Sequence, residues 1–249
     1  MIDIHAHILP GIDDGAANMR TSLEMAALAV ESGVEVIVAT PHSVDSGWEK
    51  NYWGPKLAQS IRDFRDELER ADIPLMVAPG MEIFGTPEVP ELLADRKLIG
   101  LNDSRYPLIE FAFFDFAGES TEILEDILAQ GMRPVVAHPE RYRYVQEDPR
   151  LLNLWVEMGC LLQINKGSLL GRFGRREQQL ALELVGRGFA HVVASDAHSH
   201  NRRTPWMGEV EELLRAEFSP AVARRLLEEH PLQLLKDEEL KCDEPEWFR

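Results

Sequence analysis

Apolar positions in this chain alternate between two rhythms, short continuous runs and longer stretches at helical spacing, from the first residue to about residue 198. The continuous runs are the opening MIDIH, then residues 34–40 (VEVIVAT), 73–80 (IPLMVAPG), 107–111 (PLIEF), 133–138 (RPVVAH), 160–165 (CLLQIN) and 190–198 (AHVVASDAH). Their length and the turn residues around them predict buried strands. Between them, residues 20–32, 56–70, about 120–130, 148–158 and 176–187 read as helices. Four of these stop at a glycine (Gly33, Gly131, Gly159, Gly188), the common C-terminal signal. Mostly helical sequence follows. Seven strands alternating with helices imply a parallel sheet with helical crossovers. No Pro/Ser-rich linker or charge block divides them, so residues 1–249 read as one domain with an acidic tail from about 237.

The polar residues decide how such a sheet closes. His5 and His7, His42, Glu82, Glu110, His138, and Asp196 with His198 lie at or just past the C-terminal ends of different strands. In a closed barrel those ends converge on one mouth, whereas an open sheet gathers only the strands at its switch point. The expected fold is therefore α/β, a distorted (β/α)7 barrel with its site at the C-terminal ends of the strands.

Composition narrows the setting. A chain of 249 residues buries a large core without disulfides, and its two cysteines, Cys160 and Cys242, form no CxxC pair. The formal net charge of −17 disfavours nucleic-acid binding. It also counts against a polyanionic substrate unless bound cations reverse the local field. No basic segment leads into an apolar one at the start, and no apolar run reaches the roughly 18 residues of a membrane span. A soluble, cytoplasmic protein without direct membrane insertion is expected.

Asp14 joins the strand-end residues, making nine nitrogen and oxygen donors: His5, His7, Asp14, His42, Glu82, Glu110, His138, Asp196 and His198. One ion takes about four to six donors, so the set suits two or three divalent ions with bridging carboxylates. Mixed imidazole and carboxylate ligation suits zinc, manganese or iron. His191 starts its strand, and His200 and His230 follow none, so these three stand outside the set. A polynuclear centre generates hydroxide near neutral pH and clamps a phosphoryl group. Arg141, three residues after His138, and Arg203, five after His198, are placed to hold the remaining phosphate oxygens. A thiol phosphatase is excluded, because neither cysteine is followed by an arginine six residues on in a glycine-rich loop.

The HxH start, the mid-chain His and Glu, and the late DxH resemble the PHP (polymerase and histidinol phosphatase) superfamily. More narrowly, IDIHAHILPGIDDG, GMEIFGTPEV, LNDSRYPLIEF, AHPERY and ASDAHS resemble its capsular and exopolysaccharide tyrosine phosphatases, the CpsB/CapC type, from residue 1 to about 236. The resemblance implies a trinuclear site, manganese ahead of iron or zinc. His5, His7 and Asp196 would share one metal, and Glu82 would bridge to a second completed by Glu110 and His138. Asp14, His42 and His198 would hold the third, with Asp13 as the alternative to Asp14. Arg141 and Arg203 match the phosphate-binding arginines. The implied reaction is attack of a metal-bridging hydroxide on phosphotyrosine, in the tail of a bacterial tyrosine kinase of polysaccharide synthesis. Asp14, or water on the third metal, would protonate the phenol. The chain departs from the family pattern at 43–55, near the mouth, and in the tail after 237.

Three rivals are weaker. A histidinol-phosphatase-like enzyme would use the same chemistry on a small molecule. A metal-dependent amidohydrolase would expect a carbamylated lysine after a middle strand, where this chain has Glu82 and Glu110. A non-catalytic binding module need not keep the whole ligand set and both arginines.

Overall fold

The computed structural model describes residues 1–43, 51–114 and 117–249. Its strands are β1 (Ile2–Ala6), β2 (Val36–Ala39), β3 (Met76–Pro79), β4 (Glu82–Phe84), β5 (Leu108–Glu110), β6 (Val135–Ala137), β7 (Leu161–Asn165) and β8 (Val192–Ala194). All pairings are parallel, in the orders β1-β2-β3 and β4-β5-β6-β7-β8. Single bridges join the two sheets on both sides: Ala6 to Ala197 and His42 to Glu82. The sheet thus closes on itself, as the placement of polar residues required.

The expected count of seven strands needs one refinement. Only Gly80 and Met81 separate β3, which pairs with β2, from β4, which pairs with β5. One stave therefore changes partners midway and reads as two strands. The break falls where the chain passes close to β2: a Cβ on Gly80 would lie 2.7 Å from Val38 Cγ1 and 3.3 Å from Thr40 Cγ2. The short EIF strand carries too few residues to show a period of its own, so the sequence joins Glu82 to the preceding run.

Both faces of the strands are buried, which explains their continuous apolar runs. Ile37, Ile109, Val136, Leu162 and Val193 pack in one cluster with helix residues such as Met25, Phe64, Leu124 and Leu184. Their neighbours Val38, Leu108, Val135, Leu161 and Val192 form a second cluster closed by Leu234 and Leu240. Alternate residues share a face, so the row holding Leu108 continues to Glu110, and the row holding Leu161 continues to Gln163 and Asn165. The polar site is the continuation of an apolar row past mid-strand.

The surrounding helices follow the predicted spans closely. Met19–Glu31 is capped by the Asn18 side chain, which accepts from the Thr21 amide, and Gly33 follows with φ +89°. Pro55–Arg70 starts on a proline at its first turn. Ala117–Ala129, Leu151–Met158 and Arg175–Gly186 cover the connections from β5 to β8, and a short helix absent from the predicted spans, Val89–Ala94, lies between β4 and β5. No helix among the described residues is long and apolar enough to cross a membrane.

The tail lies at the far end from the polar row, over the starts of β5 and β6. Asp237 accepts from Arg105, Leu240 O from Arg133 Nη1 at 3.1 Å, and Phe248 exchanges hydrogen bonds with the Asn153 amide at 2.9 and 3.1 Å. Leu240 and Phe248 are buried.

At the same end, His191 Nδ1 accepts from the Leu162 amide at 3.0 Å and its carbonyl accepts from His230 Nδ1 at 2.7 Å. Burial, aided by His230 and Arg133, pushes the imidazole down to about 3. Its ordinary value is 6.5, so on acidification the unfolded chain takes this proton first. Stability from this group is fully present above about 6.5 and drains away as pH falls towards about 3. Urea titrations at pH 7.5 and 5 are expected to show that loss, and a smaller one in His191→Gln. An unchanged slope in the variant would refute the assignment.

Candidate metal centre

β1 delivers His5 and His7 to one point. The Nδ1 of His5 faces Gln163 Oε1 at 2.9 Å, and the Nδ1 of His7 faces Asp13 Oδ2 at 2.8 Å. Acceptors at both Nδ1 atoms favour the tautomer that leaves Nε2 free for a metal. The two Nε2 atoms converge, 3.3 Å apart. The loop after β1 then folds back over His7. Ala16 N donates to His7 O at 3.0 Å, and a Cβ on Gly15 would lie 2.1 Å from that oxygen, so only glycine fits.

Glu82 stands at the centre. Its Oε1 lies 3.1 Å from His5 Nε2 and 3.1 Å from His138 Nε2, and its Oε2 lies 3.1 Å from His7 Nε2 and 3.1 Å from His42 Nδ1. Two imidazoles on each oxygen is a bridging arrangement. Asp196 divides its oxygens differently. Oδ1 faces His5, His7 and His198 at 3.5, 3.7 and 3.5 Å. Oδ2 accepts from Asn165 Nδ2 at 2.6 Å, from Arg141 Nη1 at 3.1 Å, and from Arg203 Nη2. Asp14 Oδ1 sits 3.5 Å from His42 and 3.4 Å from His198, and Glu110 reaches His138 and His42 at 3.7 and 3.9 Å.

Two of these residues adopt left-handed backbone, His138 at φ +36° and Asp196 at φ +52°. Such conformations cost on the order of 1–3 kcal/mol each and persist where the surroundings enforce them. Here His138 N donates to Gln163 O at 2.8 Å and Asp196 N to His5 O at 2.9 Å. Tyr142 locks the exit of β6 by donating to Ala137 O at 2.7 Å while accepting from the Phe111 amide at 3.0 Å.

The donors fall into four groups able to hold a cation: His7, Asp14, His42 and His198; His5, His7 and Asp196; His5, Glu82 and His138; His42, Glu82 and Glu110. All nine residues expected from the sequence are brought together. Their electrostatics call for positive charge: against burial, Glu82 and Asp196 raise His5, and Asp13 and Glu82 raise His7. Burial, against the pull of Glu82, keeps His138 down at about 4 and lowers His42, while burial and the neighbouring His7 lower His198, which favours neutral ligands. Burial together with the charges of Glu82 and Asp196 pushes Glu110 well above its ordinary value. Three carboxylates crowded in this way are relieved by positive charge. The buried His138 Nδ1 lacks a hydrogen-bond partner.

Asp13 and Asp14 separate cleanly. Asp13 orients from behind, accepting from His7 Nδ1, Gly15 N and His42 N. His7 and these amides outweigh burial and hold its carboxyl at about 2. Asp14 points into the cavity between His42 and His198. That cavity, about 270 Å³, also receives Arg141 and Arg203 and is walled by Phe84, Phe111 and Phe113. A larger cavity of about 630 Å³ under the tail contains none of the converging donors. His191 and His230 pair at that end, and the exposed His200 faces Glu24 at 3.5 Å. Of the divergent 43–55 segment, Asn51 anchors on His42 O at 2.9 Å, while residues 44–50 lie outside the described residues. Sequence reasoning missed Gln163 and Asn165 as supports, although two amides interrupting the apolar CLLQIN are a visible signal.

A closed parallel barrel whose strand ends gather imidazoles and carboxylates beside two arginines has a PHP-like fold and the donor set of a metal-dependent hydrolase. More narrowly, the chain belongs to the CpsB/CapC family of capsular polysaccharide synthesis, whose model matches residues 1–236. It is 42% identical over 238 residues to tyrosine-protein phosphatase YwqE of Bacillus subtilis (strain 168), covering 94% of this chain and 91% of that protein. A chain from the crystal structures of YwqE and of CpsB from Streptococcus pneumoniae, described as unique metal-dependent tyrosine phosphatases, superposes with a TM-score of 0.94. It is 40% identical, with 100% of both chains covered. Histidinol phosphate phosphatase from Lactococcus lactis shares the fold alone, at TM-score 0.55 and 14% identity over 91% of this chain and 94% of that one.

Proposed function

We propose that this chain hydrolyses phosphotyrosine on a protein, and that its substrate is the phosphorylated tail of a cytoplasmic-side tyrosine kinase of polysaccharide synthesis. The observation that carries the reading is the cavity of about 270 Å³ in which seven of the nine ligating side chains meet Arg141, Arg203 and an aromatic wall, with His5 and His7 completing the cluster beneath it. The relatives named as tyrosine phosphatases support it. His5, His7 and Asp196 would hold one ion, Glu82, Glu110 and His138 a second, and Asp14, His42 and His198 a third. Two or three divalent ions, manganese before iron or zinc, would supply a nucleophile from water near neutral pH and neutralise phosphate charge.

The chain's own groups do the rest. Arg141 and Arg203 stand together at Asp196 Oδ2, aimed where the equatorial phosphate oxygens would sit. Phe84, Phe111 and Phe113 offer an apolar face to an aryl ring. Asp14 is held below its ordinary value by the hydrogen bond and charge of His198, with His42 adding, against the opposing effect of burial. That keeps Asp14 ionised and suited to ligation; the departing phenolate has a parent pKa of about 10, and the bound ions would help neutralise it. The tail's bonds to Arg105, Arg133 and Asn153 are the reason to read residues 1–249 as one domain; a cytoplasmic location is part of the proposal, in keeping with a kinase tail as substrate.

Hydrolysis of a phosphotyrosyl peptide with added manganese is expected to stop on chelation and return with metal. Inactivity with every divalent ion would overturn the reading, and faster turnover of histidinol phosphate would favour the small-molecule alternative.

A further inference from the structure

Phe173 lies in no predicted element and carries no ligating atom, yet its ring meets both arginines. We propose that Phe173 is a positioning residue, an aromatic platform that holds Arg141 and Arg203 side by side for phosphate. This rests on the phosphate-binding reading of the two arginines. The Arg141 guanidinium carbon lies 4.6 Å from the Phe173 ring centre and that of Arg203 5.9 Å, while Phe113 flanks Arg141 at 4.5 Å. All three fall within the roughly 6 Å over which a ring face attracts a cation. The arginines come from different loops and repel each other. They are reconciled by one shared ring and one shared oxygen, Asp196 Oδ2.

The backbone is shaped to put the ring there. Gly171 N donates to Ser168 O at 2.9 Å and Arg172 N to Gly167 O at 2.8 Å, folding the loop back onto the short helix Lys166–Leu169. A Cβ on Gly167 would lie 2.5 Å from Phe173 Cε2 and 2.7 Å from Cζ, so the ring occupies the space that a side chain there would take. Asn165 closes the set: its Oδ1 accepts from Gly167 N at 2.9 Å and its Nδ2 donates to Asp196 Oδ2 at 2.6 Å.

The test compares Phe173→Ala, Phe173→Leu and Phe173→Tyr in the metal-loaded enzyme, reading metal content, melting temperature and competitive inhibition by inorganic phosphate. Phe173→Ala and Phe173→Leu are expected to keep metal and melting temperature while phosphate inhibition weakens about tenfold, equivalent to about 1.4 kcal/mol. Phe173→Tyr, which keeps the ring, is expected to match the parent. In an Arg141→Ala, Arg203→Ala background, Phe173→Ala should add no further loss. Full phosphate affinity in Phe173→Ala, equal affinity of the leucine and tyrosine variants, lost metal, or an undiminished effect without the arginines would each overturn the platform. If the double arginine variant alone leaves phosphate inhibition unchanged, it is the phosphate-binding reading that fails.

Discussion

Asp196→Ala is expected to abolish turnover and lower metal content together. The carboxylate is buried and serves two sides: Oδ1 faces three imidazoles, and Oδ2 takes Asn165, Arg141 and Arg203. Burial opposes its charge, yet His5 and Arg203 hold its pKa far below the ordinary value, so it is ionised at any pH where the fold survives. Removing it leaves the two partly exposed guanidinium groups without their shared buried anion. A fall in kcat/KM of at least about a thousandfold, roughly 4 kcal/mol, is expected. Metal analysis of the purified variant should show fewer ions than the parent. Retention of the full metal complement with measurable turnover would remove Asp196 from the centre.

Arg203→Ala is expected to keep its metals and lose phosphate recognition. Deleting one preorganised donor at a developing oxyanion typically costs about a hundred- to a thousandfold in rate, and Arg203 has the added role of balancing Arg141 at Asp196. Lysine should not rescue, because a point charge lacks the planar fork that bonds an anion while its cation lies 5.9 Å from the Phe173 ring centre. Steady-state kinetics on a phosphotyrosyl peptide, with metal content measured on the same sample, provide the check. Full kcat/KM in Arg203→Ala would dissolve the phosphate clamp.

Much of this site is legible in the chain before any coordinates, because each strand ends abruptly. A buried run of Val, Ile and Leu followed at once by His138, or by Asp196 and His198, marks both the strand and the barrel end it reaches. What stays hidden depends on turns. Asp13 and Asp14 are chemically identical neighbours, and only the fold-back forced at Gly15 sends one behind His7 and the other into the cavity. The left-handed backbone of His138 and Asp196 is set by hydrogen bonds to distant strands, which no local pattern encodes. Phe173, between Gly171 and Gly174, belongs to no period at all. The change of partners within the third stave is equally silent, since EIF alone is too short to read.

The divided allegiance of Asp196 has a thermodynamic corollary. On the proposed function, one carboxylate would be a common member of two binding equilibria, the loading of cations at Oδ1 and the engagement of an anion by the arginines at Oδ2. Linkage then demands symmetry: whatever factor cation loading applies to phosphate affinity, phosphate applies to cation affinity. If the coupling is favourable, phosphate in the mouth would tighten ion binding beneath it, and loss of the ions would weaken phosphate binding by the same factor. Cation affinity and phosphate affinity would thereby share a single coupling constant.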